Sequence, residues 1–334
     1  FLKNHLKRLL IGMVFLISFL IFDYRTLKQL APFLIISSLF LLIITKSIYL
    51  LNGYSWYKPA RWLSLGSFSF QTSDLARFSV IIFMAYYADR KRDQLHEFQL
   101  GLAPAFGILG VIMTLIIIQP DYSTALMIGL IGGAILFIGG AKISQLCLTA
   151  SGALLILIPV LLSREYRWQR ILSFLGLGDN PDVGYQANQS LISLGNGGVF
   201  GVGLGSSIEK NHFLPTPHTD FIFAIIGEEL GFSFLLILLV LYVILFTRIF
   251  TFYKRTLNIS QFSSNIILSI FLLIIMQTTI HVLVNIGLFP TKGMGLPFIS
   301  YGGTNLLLMF TYIGILIRIQ IENKQNYSQA VQNN

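Results

Sequence analysis

The residues of this sequence that could do chemistry stand beside long apolar stretches rather than in a conventional enzyme motif. Asp220 ends a segment rich in Gly and Pro, and the apolar stretch that follows begins at once with Phe221. A carboxylate at such a junction is close to water but at the edge of a low-dielectric region, where partial desolvation makes it a stronger base. Asp220 is therefore a candidate catalytic base. The alternative is that its side chain caps the helix that follows.

A second group of candidates surrounds the start of another apolar stretch. Asp74 and Arg77 are three residues apart, so on a helix they can form an ion pair on one face, and Asp74 suits the positive N-terminal end of that helix. The pair is interpreted either as a local ion pair or as part of a polar binding site. The candidate substrate-binding residues of this region are Arg61, Trp62, Gln71, Ser73, Asp74 and Arg77.

Other polar residues lie within or beside apolar stretches, where such groups are costly and are by default functional hypotheses. Glu228 and Glu229 lie inside one stretch, and Gln277, His281 and Asn285 are spaced four apart on one face of another. Structural hydrogen bonds to neighbouring helices and a supporting role beside an active site are both open for these five. The remaining candidate substrate-binding residues are Asp121, which could instead cap a helix, His218, Lys292 and Ser300.

Familiar site types are excluded by spacing. The His residues form no H-E-x-x-H pattern, and the spacing of His212, His218 and Asp220 is not specific for zinc, so the sequence assigns no metal site. The glycine-rich run 195–205 contains no G-x-G-x-x-G and has no strand–helix context, so a dinucleotide fold is rejected. Its glycines indicate instead a place where backbone approaches a ligand or another segment closely.

The composition shows what must position these residues. Of 334 residues, 54% are hydrophobic and 11% are charged, against roughly 25% charged in soluble domains. A soluble globule is therefore excluded. The net charge of +9 is interpreted as topology-setting or lipid-facing Lys and Arg residues rather than as a nucleic-acid surface. The single Cys147 provides no disulfide framework.

The apolar stretches predict an all-α, polytopic membrane helix bundle with nine transmembrane helices, because a span needs about 20 apolar residues. The predicted spans are 6–22, 30–51, 72–88, 101–118, 122–140, 142–162, 219–247, 264–288 and 303–320. A single transmembrane domain, 1–320, is expected, with a large extracytoplasmic loop, 163–218, and a cytoplasmic polar tail, 321–334. This orientation follows from the excess of Lys and Arg in the short loops on the side of the C-terminus. The start at Phe1 is interpreted as the loss of an N-terminal part.

Several ordered motifs give the chain a family resemblance. The most specific are Pro217-His218-Thr219-Asp220-Phe221-Ile222-Phe223-Ala224, Gly227-Glu228-Glu229-Leu230-Gly231 and Pro297-Phe298-Ile299-Ser300-Tyr301-Gly302-Gly303. In these the chain resembles the SEDS family of bacterial cell-wall glycosyltransferases, which includes FtsW, RodA and SpoVE, over about residues 3 to 320. The stretches 225–229 and 290–293 look more like FtsW, the division enzyme, than RodA, the elongation enzyme. One departure is Gln71-Thr72-Ser73-Asp74 with Arg77, where the family usually has Gln-Pro-Ser-Glu with Lys.

The resemblance implies an activity, a partner and a topology. Family members have ten transmembrane helices, so the first is expected to be missing here. They polymerise lipid II, a disaccharide–pentapeptide on undecaprenyl pyrophosphate, with a class B penicillin-binding protein as partner, and they act in the inner membrane with other division or elongation proteins. The resemblance aligns Asp220 with the family's essential Asp. The candidates for stabilising the departing pyrophosphate are Arg61, Arg77, Lys292, Arg164 and Arg170.

Two further expectations stay open at this stage. A divalent cation, Mg²⁺ or Mn²⁺, could assist the cations in stabilising the leaving group. A lipid-linked precursor flippase or small-solute carrier is the competing class of function, because buried carboxylates and broken helices are also transporter features. Against that class, no pair of interrupted helices recurs in two halves of the sequence.

Overall fold

A computed structural model describes residues 2–52, 61–65, 68–162, 165–174, 177 and 181–332. Helices dominate these residues. In the first part of the chain they are α1 (Leu2–Ile21), α2 (Tyr24–Leu51), α3 (Thr72–Arg90), α4 (Ala103–Ile118), α5 (Tyr122–Ile138) and α6 (Ile143–Leu162). A 3₁₀ turn (Arg92–Gln94) and a short π-helix (Phe98–Leu102) lead into α4.

The second part of the chain adds short and long helices. They are α7 (Glu165–Phe174), α8 (Pro181–Gly197), α9 (Ile208–His212), α10 (Ile222–Thr256), α11 (Gln261–Asn285) and α12 (Gly303–Gln332). Each of the nine predicted spans coincides with a helix. Among the described residues, five helices are long and apolar enough to cross a membrane: Tyr24–Leu51, Phe98–Ile118, Ile222–Thr256, Gln261–Asn285 and Gly303–Gln325.

The chain divides into two compact units. The first comprises Phe1–Leu146, Ile249–Leu273 and Gly303–Asn334, and the second comprises Cys147–Arg248 and Ile274–Gly302. In the first unit α1 packs against α12, α2 and α5 pack against α3, and α4 packs against α5. Side chains such as Ile82, Met84, Ile112 and Tyr312 are fully buried there. The sequence analysis did not predict this division.

A short hairpin precedes α3 in the first unit. Strands β1 (Trp62–Leu65) and β2 (Phe68–Gln71) pair antiparallel with Trp62 opposite Gln71. The hairpin is tied to its surroundings at its base, because Thr72 N–H donates to the Arg61 carbonyl at 3.0 Å and Gln71 N–H donates to Thr304 Oγ1 at 2.9 Å. It therefore holds Arg61 beside the start of α3.

The end of α12 is helical where the sequence predicts a polar tail. Glu322 is buried and accepts from Arg318 Nε at 2.8 Å, and it forms an ion pair with Arg25 at 3.4 Å. Asn323 Nδ2 donates to Thr256 Oγ1 at 3.2 Å. The beginning of this segment is thus packed against α2 and the end of α10 in the first unit.

The second unit is built around the start of α10. One apolar cluster joins Phe223, Leu235, Leu238 and Tyr242 of α10 to Leu296. A smaller one joins Leu214, Phe221, Ile225 and Val284. The first cluster fastens α10 to the loop after α11, and the second joins the start of α10 to α11 itself and to the segment before α10. The predicted loop 163–218 contributes helices α7, α8 and α9 to this unit, which the sequence analysis had not assigned.

Candidate functional site

Three consecutive backbone carbonyls before α10 are each held by a donor from another segment. The His218 carbonyl accepts from Tyr301 N–H at 2.9 Å. The Thr219 carbonyl accepts from Ser300 Oγ at 2.6 Å, and the Asp220 carbonyl accepts from Asn285 Nδ2 at 3.1 Å. The backbone that carries Asp220 is therefore fixed from two sides, by the loop after α11 and by the last turn of α11 itself.

The cap of α10 comes from α11. The first N–H groups of a helix lack intrahelical acceptors, and in α10 the Ala224 N–H donates to Asn285 Oδ1 at 3.1 Å. Asn285 is fully buried and also donates to the His281 carbonyl at 2.8 Å. The Asp220 carboxylate accepts instead from Thr216 Oγ1 at 3.2 Å. Asn285 thus takes the capping role that the sequence analysis considered for Asp220.

The polar face of α11 also holds the loop that follows it. Gln277 Nε2 donates to the Gly295 carbonyl at 2.7 Å, and His281 Nδ1 lies 2.7 Å from the Met294 carbonyl. With Asn285, each residue of the stripe contacts a backbone carbonyl, at successive turns of the helix. The stripe therefore holds both the loop 286–302 and the Asp220 backbone.

Gly293 brings the loop backbone against the Asp220 carboxylate. A Cβ at Gly293 would lie 3.2 Å from Asp220 Oδ2, closer than an ordinary contact, so a side chain at this position would press on the carboxylate. The neighbouring Lys292 places its Nζ over the Phe289 ring, 4.9 Å from the centroid, and burial lowers the pKa of its ammonium group. Burial, and after it the charge of Lys210, lower the pKa of the His218 imidazole.

Glu228 anchors the segment between α8 and α10. Its carboxylate is fully buried and accepts from Ser193 Oγ at 2.9 Å, from Ser207 Oγ at 2.5 Å and from Ile208 N–H at 3.0 Å. Glu229, next to it, forms an ion pair with Lys210. These contacts tie α8 and α9 to the first turns of α10.

Glu228→Gln is expected to lower the melting temperature of the protein. The amide replaces one acceptor oxygen with a donor, so at least one of the three buried donors loses its partner at a cost of about 1–3 kcal/mol. The matched control is Glu229→Gln, whose carboxylate pairs with Lys210 and is partly exposed; the amide keeps an oxygen that can accept from the Lys210 ammonium, so a smaller loss is expected. Thermal unfolding in detergent should show the larger shift for Glu228. Equal shifts would show that Glu228 is not an anchor.

The first unit holds a separate polar cluster. Asp74 and Arg77 form a buried ion pair with Oδ1 and Nη2 2.9 Å apart, and Arg77 also donates to Asn305 Oδ1 at 3.2 Å. Asp121 accepts from Ser73 Oγ at 2.7 Å and from Thr124 N–H at 3.4 Å, which caps α5.

Two more side chains complete this cluster. Gln71 Nε2 donates to Asp121 Oδ2 at 3.2 Å, and Arg61 donates to the carbonyls of Gln119 and Pro120. Arg61 therefore reaches the turn that precedes Asp121. Trp62, on β1, is half exposed. The cluster joins the hairpin, α3 and the α4–α5 turn.

The described residues offer no protein cage for a metal ion, since no group of three or more of their His, Cys, Asp and Glu side chains could hold one. A magnesium site commonly consists of one or two carboxylates together with substrate phosphates. The divalent cation therefore stays an expectation.

Comparison with known proteins places this arrangement in a family. The family model for cell cycle proteins of the FtsW/RodA/SpoVE type matches residues 1–325. The chain belongs to this family. The resemblance inferred from the motifs is confirmed.

Similar proteins extend this result. A probable peptidoglycan glycosyltransferase FtsW of Saccharophagus degradans is 37% identical over 269 residues, covering 80% of this chain and 70% of that protein. A protein of the same description from Geobacter sulfurreducens is 34% identical over 328 residues, covering 97% of this chain and 86% of that protein. A chain of a solved peptidoglycan synthase complex matches with a TM-score of 0.77 and 23% identity, covering 96% of this chain and 89% of that chain. The predicted all-α, polytopic fold is confirmed, and the chain is a multi-pass inner-membrane protein of the FtsW/RodA/SpoVE family.

The predicted site residues fall into two sets. In the second unit, His218, Asp220, Lys292 and Ser300 lie on the two segments joined by the carbonyl contacts, and the polar face of α11 and Glu228 support them. In the first unit, the predicted binding residues form the cluster around Asp74 and Asp121. Substrate binding by either set stays a prediction. Arg164 lies outside the described residues, as does the side chain of Arg170.

Several contacts have no signal in the sequence. Thr216, Ser193 and Ser207 bind the carboxylates of Asp220 and Glu228, but single hydroxyl residues in loops and helices are common and no spacing marks these. Gly293 could have been suspected from its place in the Pro-Thr-Lys-Gly stretch, although only the structure shows that it faces Asp220.

Proposed function

We propose that this protein is a peptidoglycan glycosyltransferase that polymerises lipid II into glycan strands on the outer face of the inner membrane, with Asp220 as the catalytic base. The observation that carries the proposal is the fixation of Asp220. Three consecutive carbonyls, of residues 218–220, are held by Tyr301, Ser300 and Asn285, and the α10 cap is supplied by Asn285. A base held in this way is preorganised, which is how positioning lowers a reaction barrier.

The proposed step is a glycosyl transfer. The hydroxyl group of the acceptor sugar gives its proton to the Asp220 carboxylate as its oxygen attacks the anomeric carbon of the donor sugar. A new C–O bond forms, the bond to the pyrophosphate breaks, and undecaprenyl pyrophosphate leaves with the electron pair. General-base help of this kind contributes typically about 10²–10⁴-fold.

The departing pyrophosphate needs positive charge. Lys292, in the same unit as Asp220, is the proposed source, and Arg61 is a candidate that the sequence offers. Lys292 adjoins Gly293, where an added Cβ would lie 3.2 Å from Asp220 Oδ2. Arg61 is held at the base of the hairpin by the Thr72 N–H bond to its carbonyl. Arg77 is the third candidate, although its guanidinium is already paired with Asp74.

Lys292→Ala and Arg61→Ala are each expected to reduce turnover by up to about 10²-fold, as loss of one charge-stabilising group does, while the protein stays inserted and folded. Lys254→Ala is the matched control for Lys292, because its Nζ also lies over a ring, 4.8 Å from the Phe250 centroid. Lys254 lies in the last turn of α10, whereas Asp220 precedes the first turn. Polymerisation rates with purified lipid II check the prediction. Near-normal rates in both variants would show that neither residue stabilises the leaving group, and Arg77 or a divalent cation would then be the candidate.

The proposed partner is a class B penicillin-binding protein, and the proposed process is septal wall synthesis in division. The support is that the Saccharophagus and Geobacter relatives are both described as FtsW and that a similar chain occurs in a peptidoglycan synthase complex. Elongation, as in RodA, is the alternative process.

Labelled lipid II should be converted slowly to glycan strands by the purified chain, and faster when the partner is co-purified. Full activity without any partner would contradict the proposed partnership.

The competing function is transport of a lipid-linked precursor. The observation that favours it is the break in α10 at Gly231, which has φ 78° and ψ 176°, because discontinuous helices line transporter sites. The polymerisation assay separates the two classes. A transporter would move lipid II across a vesicle membrane and form no glycan.

The proposed orientation places the segment 163–218 outside and the C-terminus in the cytoplasm. With Cys147 replaced by Ser, single cysteines at Asn211 and Gln325, both exposed, are expected to react with an impermeant maleimide from opposite sides of the membrane. In intact spheroplasts only the Asn211 variant should be labelled. Labelling of both from one side would overturn the orientation.

A further inference from the structure

The break in α10 is filled by backbone from another segment. We call residues 197–205 the glycine loop. Around Gly231, the N–H groups of Phe232 and Ser233 donate to the Gly198 and Val199 carbonyls at 2.9 and 3.1 Å, rather than to the residues four positions earlier. The Glu228 and Glu229 carbonyls accept from Val202 and Gly203 N–H at 2.9 and 3.0 Å. The glycine loop therefore satisfies the four backbone groups of α10 that the break would otherwise expose.

Glycines make this contact possible. A Cβ at Gly201 would lie 2.2 Å from the Glu229 carbonyl oxygen, and one at Gly231 would lie 2.4 Å from Gly201 N. Both residues also have positive φ values, of 82° and 78°. The glycine loop thus lies directly on the α10 backbone. It therefore lies at the same depth along the membrane normal as residues 228–233.

The sequence of α10 gives that level. Between Glu229 and Arg248 it contains no charged residue, and this stretch is about 27 Å long at 1.5 Å per residue. The hydrocarbon core of a bilayer is about 30 Å thick. The apolar stretch therefore fills the core, and residues 228–233 lie at the boundary of the leaflet nearer to Glu229, within about one helical turn of 5.4 Å.

The glycine loop presents apolar side chains at this level. Phe200 is 85% exposed and Leu204 is 78% exposed, and Val199 and Val202 are exposed beside them. Neighbouring side chains of α10, among them Phe232 and Leu236, are exposed as well, so the apolar surface continues from the loop onto the membrane-spanning helix. The segment 195–208 contains no Asp, Glu, Lys or Arg.

We propose that the glycine loop is a membrane-inserted element whose Phe200 and Leu204 side chains contact the acyl chains of the outer leaflet. Non-helical backbone is tolerated at membrane depth only where its polar groups are satisfied by protein or water, and the bonds to α10 meet this condition for the loop residues 198, 199, 202 and 203. Amphipathic segments of the membrane interface bury their apolar side chains to a similar depth, about 5–10 Å. The proposal rests on the exposure of these apolar side chains and on the hydrogen bonds to α10. The choice of the outer leaflet rests on the proposed orientation, and the proposed reaction is not used.

Spin-label accessibility tests the proposal on the full chain in liposomes. In a Cys147→Ser background, single cysteines replace Phe200 and Leu204. Leu236, on the apolar surface of α10, provides the lipid control, and Asn211 provides the water control. Power saturation is measured with oxygen, which concentrates in lipid, and with a water-soluble nickel chelate. The Phe200 and Leu204 labels are expected to collide more with oxygen than with nickel, as the Leu236 label does, and the Asn211 label to show the reverse.

Two results would overturn the proposal. Labels at Phe200 and Leu204 that collide with nickel as freely as the Asn211 label would place the loop in water. Labels shielded from both reagents would show that protein, and not lipid, covers it. Both replaced side chains are exposed, so the substitutions are expected to leave the fold intact, and the two positions check each other.

Discussion

Asn285→Ala is expected to lower the rate of lipid II polymerisation by about 10²-fold, the effect of a roughly 1 Å misplacement of a catalytic group. The Asn285 side chain accepts from Ala224 N–H and donates to the carbonyl groups of Asp220 and His281. Its removal takes away the α10 cap, at a cost of about 0.5–2 kcal/mol, and releases the Asp220 backbone. Turnover and melting temperature, measured on the same preparations, check both parts of the expectation.

Gln277→Ala is the matched control for this variant. Gln277 is also a buried amide on the same face of α11, but it holds the Gly295 carbonyl rather than the Asp220 backbone. Both substitutions are expected to lower the melting temperature, and only Asn285→Ala should lower turnover by the larger factor. If the two variants lose stability alike and keep the same turnover, Asn285 stabilises the fold without positioning Asp220.

Much of the helical architecture could be predicted from the sequence. The nine apolar stretches coincide with helices because length and hydropathy alone decide where a chain can span a membrane. The shorter elements could not be predicted in this way. Strands β1 and β2 have four residues each, too few for a periodic pattern. The helix α8 carries glycines at positions 184, 195 and 197, which disfavour helix on propensity alone.

The break in α10 shows a different limit. The sequence shows a long apolar stretch, with Gly231 as one glycine among several. Whether a helix continues through a glycine depends on what can satisfy its backbone groups. Here the partners are Gly198, Val199, Val202 and Gly203, which lie about thirty residues earlier in the chain. No local pattern encodes a pairing over that separation.

The candidate site was partly accessible to sequence reasoning. The spacing of Gln277, His281 and Asn285 shows that they share one helix face, and the Pro-Phe-Ile-Ser-Tyr motif marks Ser300. Neither feature shows that Ser300 and Asn285 hold adjacent carbonyls, at Thr219 and Asp220. Those contacts join residues that are 65 and 81 positions apart in the chain, so they depend on tertiary packing.

Asp220→Asn is expected to lower the polymerisation rate by about 10²–10⁴-fold, the usual contribution of a general base. The amide has nearly the same shape as the carboxylate, so the fold should be retained, but it cannot accept the proton of the acceptor hydroxyl. It can still act as a hydrogen-bond acceptor for Thr216 Oγ1, which lies 3.2 Å from Asp220 Oδ2. Loss of activity with an unchanged melting temperature would therefore reflect the loss of the ionisable group.

The most direct measurement compares Asp220→Asn with Asp220→Ala in one lipid II polymerisation assay, with matched expression and with the class B penicillin-binding protein present. If Asp220 is the base, both variants lose activity to a similar extent, because neither side chain can take the proton. If Asp220 acts only through hydrogen bonds, Asn restores most of the activity that Ala loses, because the amide oxygen can accept from Thr216 Oγ1 as the carboxylate does. That result would contradict the mechanism proposed for this protein.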